Sequence, residues 1–293
     1  SPVIFTALGM CMMMQVGEFN LIGEGIFFLC GAVSGLLVTR LLPADLSTSA
    51  YAVIVILVCA LVGALMALIP AFLKIKWGAN EVVVTIMLNY VLWLAGLYIL
   101  QYWMRDQNVT FLGSEKFSRN ASLPKLVRGT DLHIGLFLAI GAILFIYFFL
   151  YRPTKGYEIR VTGNNRNFAM YAGIGITGAL VLAQAMGGAL AGMGSAIEIL
   201  GRYDRFKWTL QTGYGFDGMM IAVIARKNPA LVPLAAFFLA YIRIGADIVG
   251  STTDVPVQFI PVIQAIIIML VAATMFLEPL RRRAILKESK AQG

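Results

Sequence analysis

Apolar residues run through this chain in long blocks separated by short polar stretches. The clearest blocks, residues 51–73, 173–197 and 256–277, carry no charge and reach the roughly 20 residues that a helix needs to cross a bilayer. Further blocks lie at 22–39, 82–102, 132–151 and 230–249, while 216–225 is long enough only for a half-helix or a tilted crossing. None alternates in ten-residue units, as the strands of a membrane barrel would. Unpaired backbone cannot face lipid, so the pattern predicts helices. The expected fold is all-α: one polytopic helical membrane domain over residues 1–293, with about eight crossing or half-crossing segments embedded in the lipid bilayer.

The first block behaves differently. Residues 2–15 are apolar, then Gly17, Glu18, Phe19, Asn20, Gly23, Glu24 and Gly25 interrupt before hydrophobicity resumes. Glycines and carboxylates at membrane depth predict a broken helix, which is tolerated where its backbone lines a cavity or is buried in protein. The chain opens at Ser1 without a basic leader, so a further segment is expected before it.

Composition removes the soluble alternatives. With 59% hydrophobic residues, 13% charged residues and a mean hydropathy of +0.82, the chain lacks the polar groups to clothe a water-soluble domain. The net charge of +8 reads as orientation rather than as a nucleic-acid surface, because the basic residues gather in short loops and at the C-terminus. Placing the tail with Arg281, Arg282, Arg283, Lys287 and Lys290 in the cytoplasm puts 152–172, 74–80 and 226–227 on the same side. Residues 40–50, 104–131, 200–215 and 251–255 then lie outside. Arg202, Arg205 and Lys207, and the basic residues of 104–131, run against this bias. Cys11, Cys30 and Cys59 lack metal-type spacing and read as small buried hydrophobes, and His133 is the single histidine. No metal site or cofactor is expected.

Nor does the chain carry an energy source. No phosphate-binding loop with its lysine occurs; the glycines of 187–194 (GGALAGMG) suit close helix approach instead. Charges at membrane depth cost roughly 2.5–3.5 kcal/mol each on insertion scales, so each is a functional candidate. Glu24 sits in the broken segment, and Glu18 is placed at the interface. Arg243 and Asp247, four residues apart, are expected to neutralise each other, and Asp217 to cap its short helix. Asn20, Asn89, Gln184 and Gln264 either meet a polar solute or bond a neighbouring helix.

A compact basic insert, with Arg152, Lys155 and Arg160 ahead of the short run NRNFAMYAG that carries Arg166, lies between two apolar blocks and predicts a small helix outside the bilayer. Together with FNLIGEGI at 19–26, GFDG at 215–218 and RKNP at 226–229, it resembles the permease subunits of ABC importers for ribose, branched-chain amino acids and nucleosides. The resemblance covers nearly the whole chain. Gly163, Asn165, Ala169, Tyr171, Ala172, Gly173 and Ile174 match the family's coupling segment, and KIKWGANEVVVTIMLNY at 74–90 is most similar to the nucleoside branch. Ile22, Ile26, Phe168, Ala225 and Lys227 depart from the family pattern.

The resemblance implies a transmembrane permease subunit of an ATP-driven importer in the bacterial cytoplasmic membrane, with nucleosides as cargo. It implies a cytoplasmic ATP-binding subunit, a second permease that is a different chain, and an extracytoplasmic substrate-binding lipoprotein; no nucleic acid is involved. Gly163 and Asn165 would start the coupling helix, with Asn165 as its N-cap. Arg160 and Arg166 would pair with acids on the motor, Ala169 and Tyr171 carry the match through the helix, and Gly173 would end it. Asn20, Glu24 and Asn89 would line the pathway. Ribose and branched-chain amino acids are the alternative cargoes. The rival class is an ion-coupled secondary transporter, with Glu24 or Asp247 carrying the ion; a membrane-embedded enzyme has no triad, metal cluster or carboxylate pair behind it.

Overall fold

The computed structural model describes residues 2–43, 46–127 and 130–252. The expected crossing at 256–277, Gln264, the basic tail and the Asp247 side chain lie outside the described residues. The described chain is helical. Its extended backbone pairing amounts to two isolated bridges, Arg105 with Ser114 and Lys125 with His133.

Helix α1 (Pro2–Gln15) ends at the expected break, and α2 (Gly23–Leu36) resumes beyond it and widens into a π-turn at Leu37–Leu41. Then come α3 (Thr48–Trp77), α4 (Glu81–Ile99), α5 (Gly135–Tyr151), α6 (Thr154–Asn164), α7 (Arg166–Tyr171), α8 (Ile176–Arg202), α9 (Tyr214–Ile224) and α10 (Val232–Thr252). Among the described residues, four helical stretches are long and apolar enough to cross a membrane. Two bent pairs, α5 with α6 at 74° and α9 with the start of α10 at 112°, raise that to six if each counts as one span.

Local chemistry sets most of the boundaries. Ser47 caps α3, accepting from the Ala50 amide at 3.4 Å. Gly78, left-handed at φ 65, closes the helix. Asn80 opens α4 two residues later by accepting from the Val82 and Val83 amides, so the α3–α4 turn needs three residues. Helix α3 runs past its apolar block to Trp77 because Lys74 and Lys76 lie in its last turn, where the terminal carbonyls favour cations. The expected half-helix at 216–225 is α9. It turns into α10 through Arg226 and Lys227, both with positive φ (51 and 61), and Asn228 accepts from the Ala230 amide at 3.0 Å.

Burial separates the helices into two classes. In the stretch Gly23–Leu41, 72% of the apolar window is buried, against 22% in α3 and 22% in α4, so α2 is central and the latter two offer their outer faces to lipid. Helix α8 is the other central element. A Cβ at Gly187 would meet the Gly9 carbonyl oxygen of α1 and the Met13 side chain. One at Gly188 would meet Gly63 of α3, and one at Gly192 the Cys59 carbonyl. The glycine run thus serves backbone-to-backbone packing, as membrane helix pairs require.

The two loops with misplaced positive charge pack on each other. The Ser114 amide donates to the Phe206 carbonyl at 2.9 Å, and the Phe117 amide to the Asp204 carbonyl at 2.8 Å. Three of their cations have acidic partners: Arg202 with Asp131 at 3.2 Å and Glu198 at 3.5 Å, Arg205 with Asp106 at 3.8 Å, and Lys125 with Asp131 at 3.8 Å; Arg40, from the turn after α2, pairs with Glu115 at 2.8 Å. Helix α8 reaches Arg202, beyond its apolar block, because the Glu198–Arg202 pair at (i, i+4) extends it.

His133 lies buried where these loops meet α5, and its Nδ1 accepts from the Gly135 amide at 3.1 Å. Burial, more than the nearby Asp131 and Lys125, holds its pKa below the ordinary 6.5. The unfolded chain therefore binds this proton more readily, and the stabilisation present above 6.5 is lost as pH falls. Thermal unfolding measured about one unit above and below 6.5 should show a lower midpoint on the acid side. His133→Gln should flatten that difference; an unchanged slope would rule His133 out as its source.

Candidate functional site

The break between α1 and α2 is a short irregular segment whose backbone groups are met by side chains from distant helices. Gly17 turns the chain at φ 86. Asn20 Oδ1 accepts from the Ile22 amide at 2.9 Å, and its Nδ2 donates to Gln184 Oε1 of α8 at 2.6 Å. From α4, Asn89 Oδ1 accepts from the Gly25 amide and its Nδ2 donates to the Leu21 carbonyl, both at 2.8 Å. Thr85 Oγ1 accepts from the Leu21 amide at 3.1 Å. These contacts supply the partners that the interrupted helix gives up.

Glu24, at the start of α2, reaches into the beginning of α9. Its carboxylate accepts from the Gly213 and Gly215 amides at 2.7 Å each and from Thr212 Oγ1 at 3.1 Å. The first amides of a helix have no partner within it and carry a partial positive charge, so an anion is favoured there. Gly215 matters for the same reason: a Cβ on it would strike the backbone at Glu24. Asp217, expected as the cap, pairs instead with Arg243 of α10. The bend between α9 and α10 brings this carboxylate to the guanidinium, while the expected Arg243–Asp247 pairing falls on a side chain outside the described residues. The Asp217–Arg243 pair lines an open cleft of about 740 Å³ between α1, α9 and α10. Asn20, Glu24 and Asn89 are enclosed, with 0%, 0% and 2% exposure.

The basic insert folds as two helices rather than one. Arg160 turns inward: its Nε donates to the Leu150 carbonyl at 2.9 Å and its guanidinium lies 4.9 Å from the Tyr151 ring centroid, which closes the α5–α6 bend. Gly163 lies in the last turn of α6 rather than at the start of the next helix, flat against the break; a Cβ there would fall on the Gln15 carbonyl oxygen. Asn165 is the expected N-cap of α7, accepting from the Phe168 amide at 3.0 Å.

At the other end, Gly173 has φ 73, its amide donates to the Met170 carbonyl, and the Ile174 amide donates to the Ala169 carbonyl. This is the paired closure of a helix on a left-handed glycine. Ala169 is buried, whereas Tyr171 is 86% exposed, with Phe168 and Met170 also open. Helix α7 thus shows an apolar outer face with Arg166 beside it.

Sequence reasoning missed the cluster behind this helix. Glu18, Lys74, Glu81 and Gln184 come from the break, α3, α4 and α8, and they connect Arg166 to Asn20. Lys74 and Glu81 flank the α3–α4 turn, a spacing that brings two helix ends together and was the available signal.

Residues 1–273 match the family described as the permease component of the branched-chain amino acid transport system. The chain belongs to this permease family. Among its relatives, the guanosine ABC transporter permease protein NupP of Bacillus subtilis is 31% identical over 281 residues, covering 94% of this chain and 79% of the relative. The nucleoside ABC transporter permease protein NupB of Lactococcus lactis is 30% identical over 294 residues, covering 97% and 79%. The glucose ABC transporter permease protein TsgB13 of Haloferax volcanii is 30% identical over 290 residues, covering 96% and 76%. No solved structure matches the chain. The protein is a transmembrane permease subunit of an ABC importer and a multi-pass membrane protein. Permeases of this family work with an ATP-binding subunit and a substrate-binding protein.

Proposed function

We propose that this permease imports nucleosides, pairing with a second, different permease chain and receiving solute from a lipoprotein on the outer side. The cargo rests on the relatives whose names specify nucleosides or guanosine. The described polar groups of the break are mostly neutral amides and hydroxyls, which suit an uncharged base and sugar. A sugar is the second reading, favoured by the glucose relative at equal identity. Uptake of labelled guanosine into proteoliposomes, competed with excess unlabelled glucose, separates the two.

In this reading α7 is the coupling helix that receives the ATP-binding subunit, and the C-terminal tail lies on that cytoplasmic side. The single observation that carries the assignment is the form of α7: capped at both ends, anchored by Ala169, with Phe168, Met170 and Tyr171 facing outward. Arg160 and Gly163 hold α6 in place beneath it, and Asn165, Arg166 and Gly173 set its ends. Asn20, Glu24 and Asn89 shape the pathway wall at the break, and solute meets them only when that enclosed segment opens. The protein moves solute only by as much as the motor favours one state over the other. Replacing Asn165 and Arg166 together with alanine should leave the complex assembled and hydrolysing ATP while uptake falls about tenfold or more. Unchanged uptake in reconstituted vesicles would remove the coupling role.

A further inference from the structure

We propose that Glu18 is the positioning residue through which displacement of α7 reaches the break in the pathway wall. This rests on the reading of α7 as the coupling helix. The geometry is a continuous chain of side chains. Arg166 Nη1 stands 3.8 Å from Glu18 Oε1. Glu18 Oε2 meets Lys74 Nζ at the C-terminal end of α3. Lys74 Nζ also lies 3.2 Å from Glu81 Oε2 at the start of α4. Glu81 Oε1 accepts from Gln184 Nε2 at 2.6 Å, and Gln184 Oε1 accepts from Asn20 Nδ2 at 2.6 Å. Asn20 closes the chain on the break's own backbone, at the Ile22 amide.

Charge and burial say which link gives way. Glu18 and Glu81 are 7% and 5% exposed, so each carboxylate depends on a partner. The cluster holds two anions and two cations. Of the four, the Arg166 side chain is the most open, at 58%, while Lys74 is at 27%. At 3.8 Å the Arg166 contact is an ion pair rather than a hydrogen bond, so a small movement of α7 weakens it first. Glu18 then holds Lys74 alone, and Lys74 shifts its balance away from Glu81. Both Glu81 and Asn20 bind Gln184, so the change reaches Asn20 in the pathway wall and, through it, the backbone at Ile22. Backbone contact at Gly163 against Gln15 and Gly17 ties α6 to the same segment, which keeps the lever short.

The test compares Glu18→Gln and Glu18→Asp in the full importer reconstituted in vesicles, reading uptake, ATP hydrolysis and their ratio. Glu18→Gln should assemble and hydrolyse ATP, with uptake per ATP lowered at least fivefold, in the range of ordinary coupling between sites. Glu18→Asp, which keeps the charge, should recover most of it. If Glu18→Gln does not assemble, the double variant Glu18→Gln with Lys74→Gln removes one charge of each sign, leaves Glu81 the amide donors of Gln184 and of position 74, and should show the same uncoupling. A normal ratio in either assembled glutamine variant, while the Asn165/Arg166 alanine variant uncouples, overturns the role of Glu18 and leaves the coupling helix standing. Normal ratios in all of them remove both. Equal losses in Glu18→Gln and Glu18→Asp also overturn it, since a charge contact would have been spared by aspartate.

Discussion

Replacing Glu24 with glutamine lowers the thermal midpoint of the assembled permease and abolishes most of its uptake. The carboxylate is fully enclosed and receives two backbone amides and a hydroxyl from the start of α9. An amide of the same shape offers a single acceptor oxygen and turns a donor toward groups that are themselves donors. Losing one charge-assisted hydrogen bond and creating a donor–donor conflict costs about 3 kcal/mol. The damage concentrates where two half-length elements meet: α9 is 11 residues long and is tied to α2 through this contact. Thermal unfolding in detergent, followed beside Thr212→Val, separates the contributions. The threonine variant loses the 3.1 Å hydroxyl contact and keeps both amides, so its midpoint should fall much less. Equal losses in the two variants would show that the amides contribute little and that the cap has been overvalued.

Gly163→Val should separate the basic insert from the break. The added Cβ has no room, since the Gln15 carbonyl and the Gly17 amide already occupy its position. Overpacking against backbone costs typically 1–3 kcal/mol, and here both partners are main chain, so relief requires α6 to move bodily. The expected result is an assembled but loosened protein: faster proteolysis within 152–175 and uptake reduced about tenfold or more. Gly178→Val, at an α8 position with open space around it, is the control and should behave as the parent does. Parent-like proteolysis in Gly163→Val would mean that α6 does not depend on this contact.

Much of this architecture could be read in the chain because its causes are local. Apolar blocks of bilayer length became α3, α4, α5, α8 and α10, and a glycine-rich acidic interruption became the break. Asn165 announced its cap because an N-cap acts within three residues. The readings that changed involve partners far apart in sequence. Glu24 was visible as a costly charge, yet the amides it holds are 189 and 191 residues away. Asp217 reads as a cap by position, and the 112° bend brings Arg243, 26 residues on, to its carboxylate. Gly163 reads as a helix start by motif, while its close approach to Gln15 depends on how α1 ends. Glu18 passed for an interfacial carboxylate because Lys74, 56 residues on, gives no sign in sequence that it folds back to meet it.

The glycine contacts of α8 carry a mechanical consequence. Where Gly187, Gly188 and Gly192 rest on Gly9, Gly63 and Cys59, main chain touches main chain on two sides, and any sliding would open voids that hydrocarbon cannot fill. Helices α1, α3 and α8 therefore act as the keel of the molecule. The swinging parts of a transport cycle are left to the pieces hinged at its edges: the elbow between α5 and α6 on one flank, and the tighter fold-back of α9 onto α10 on the other.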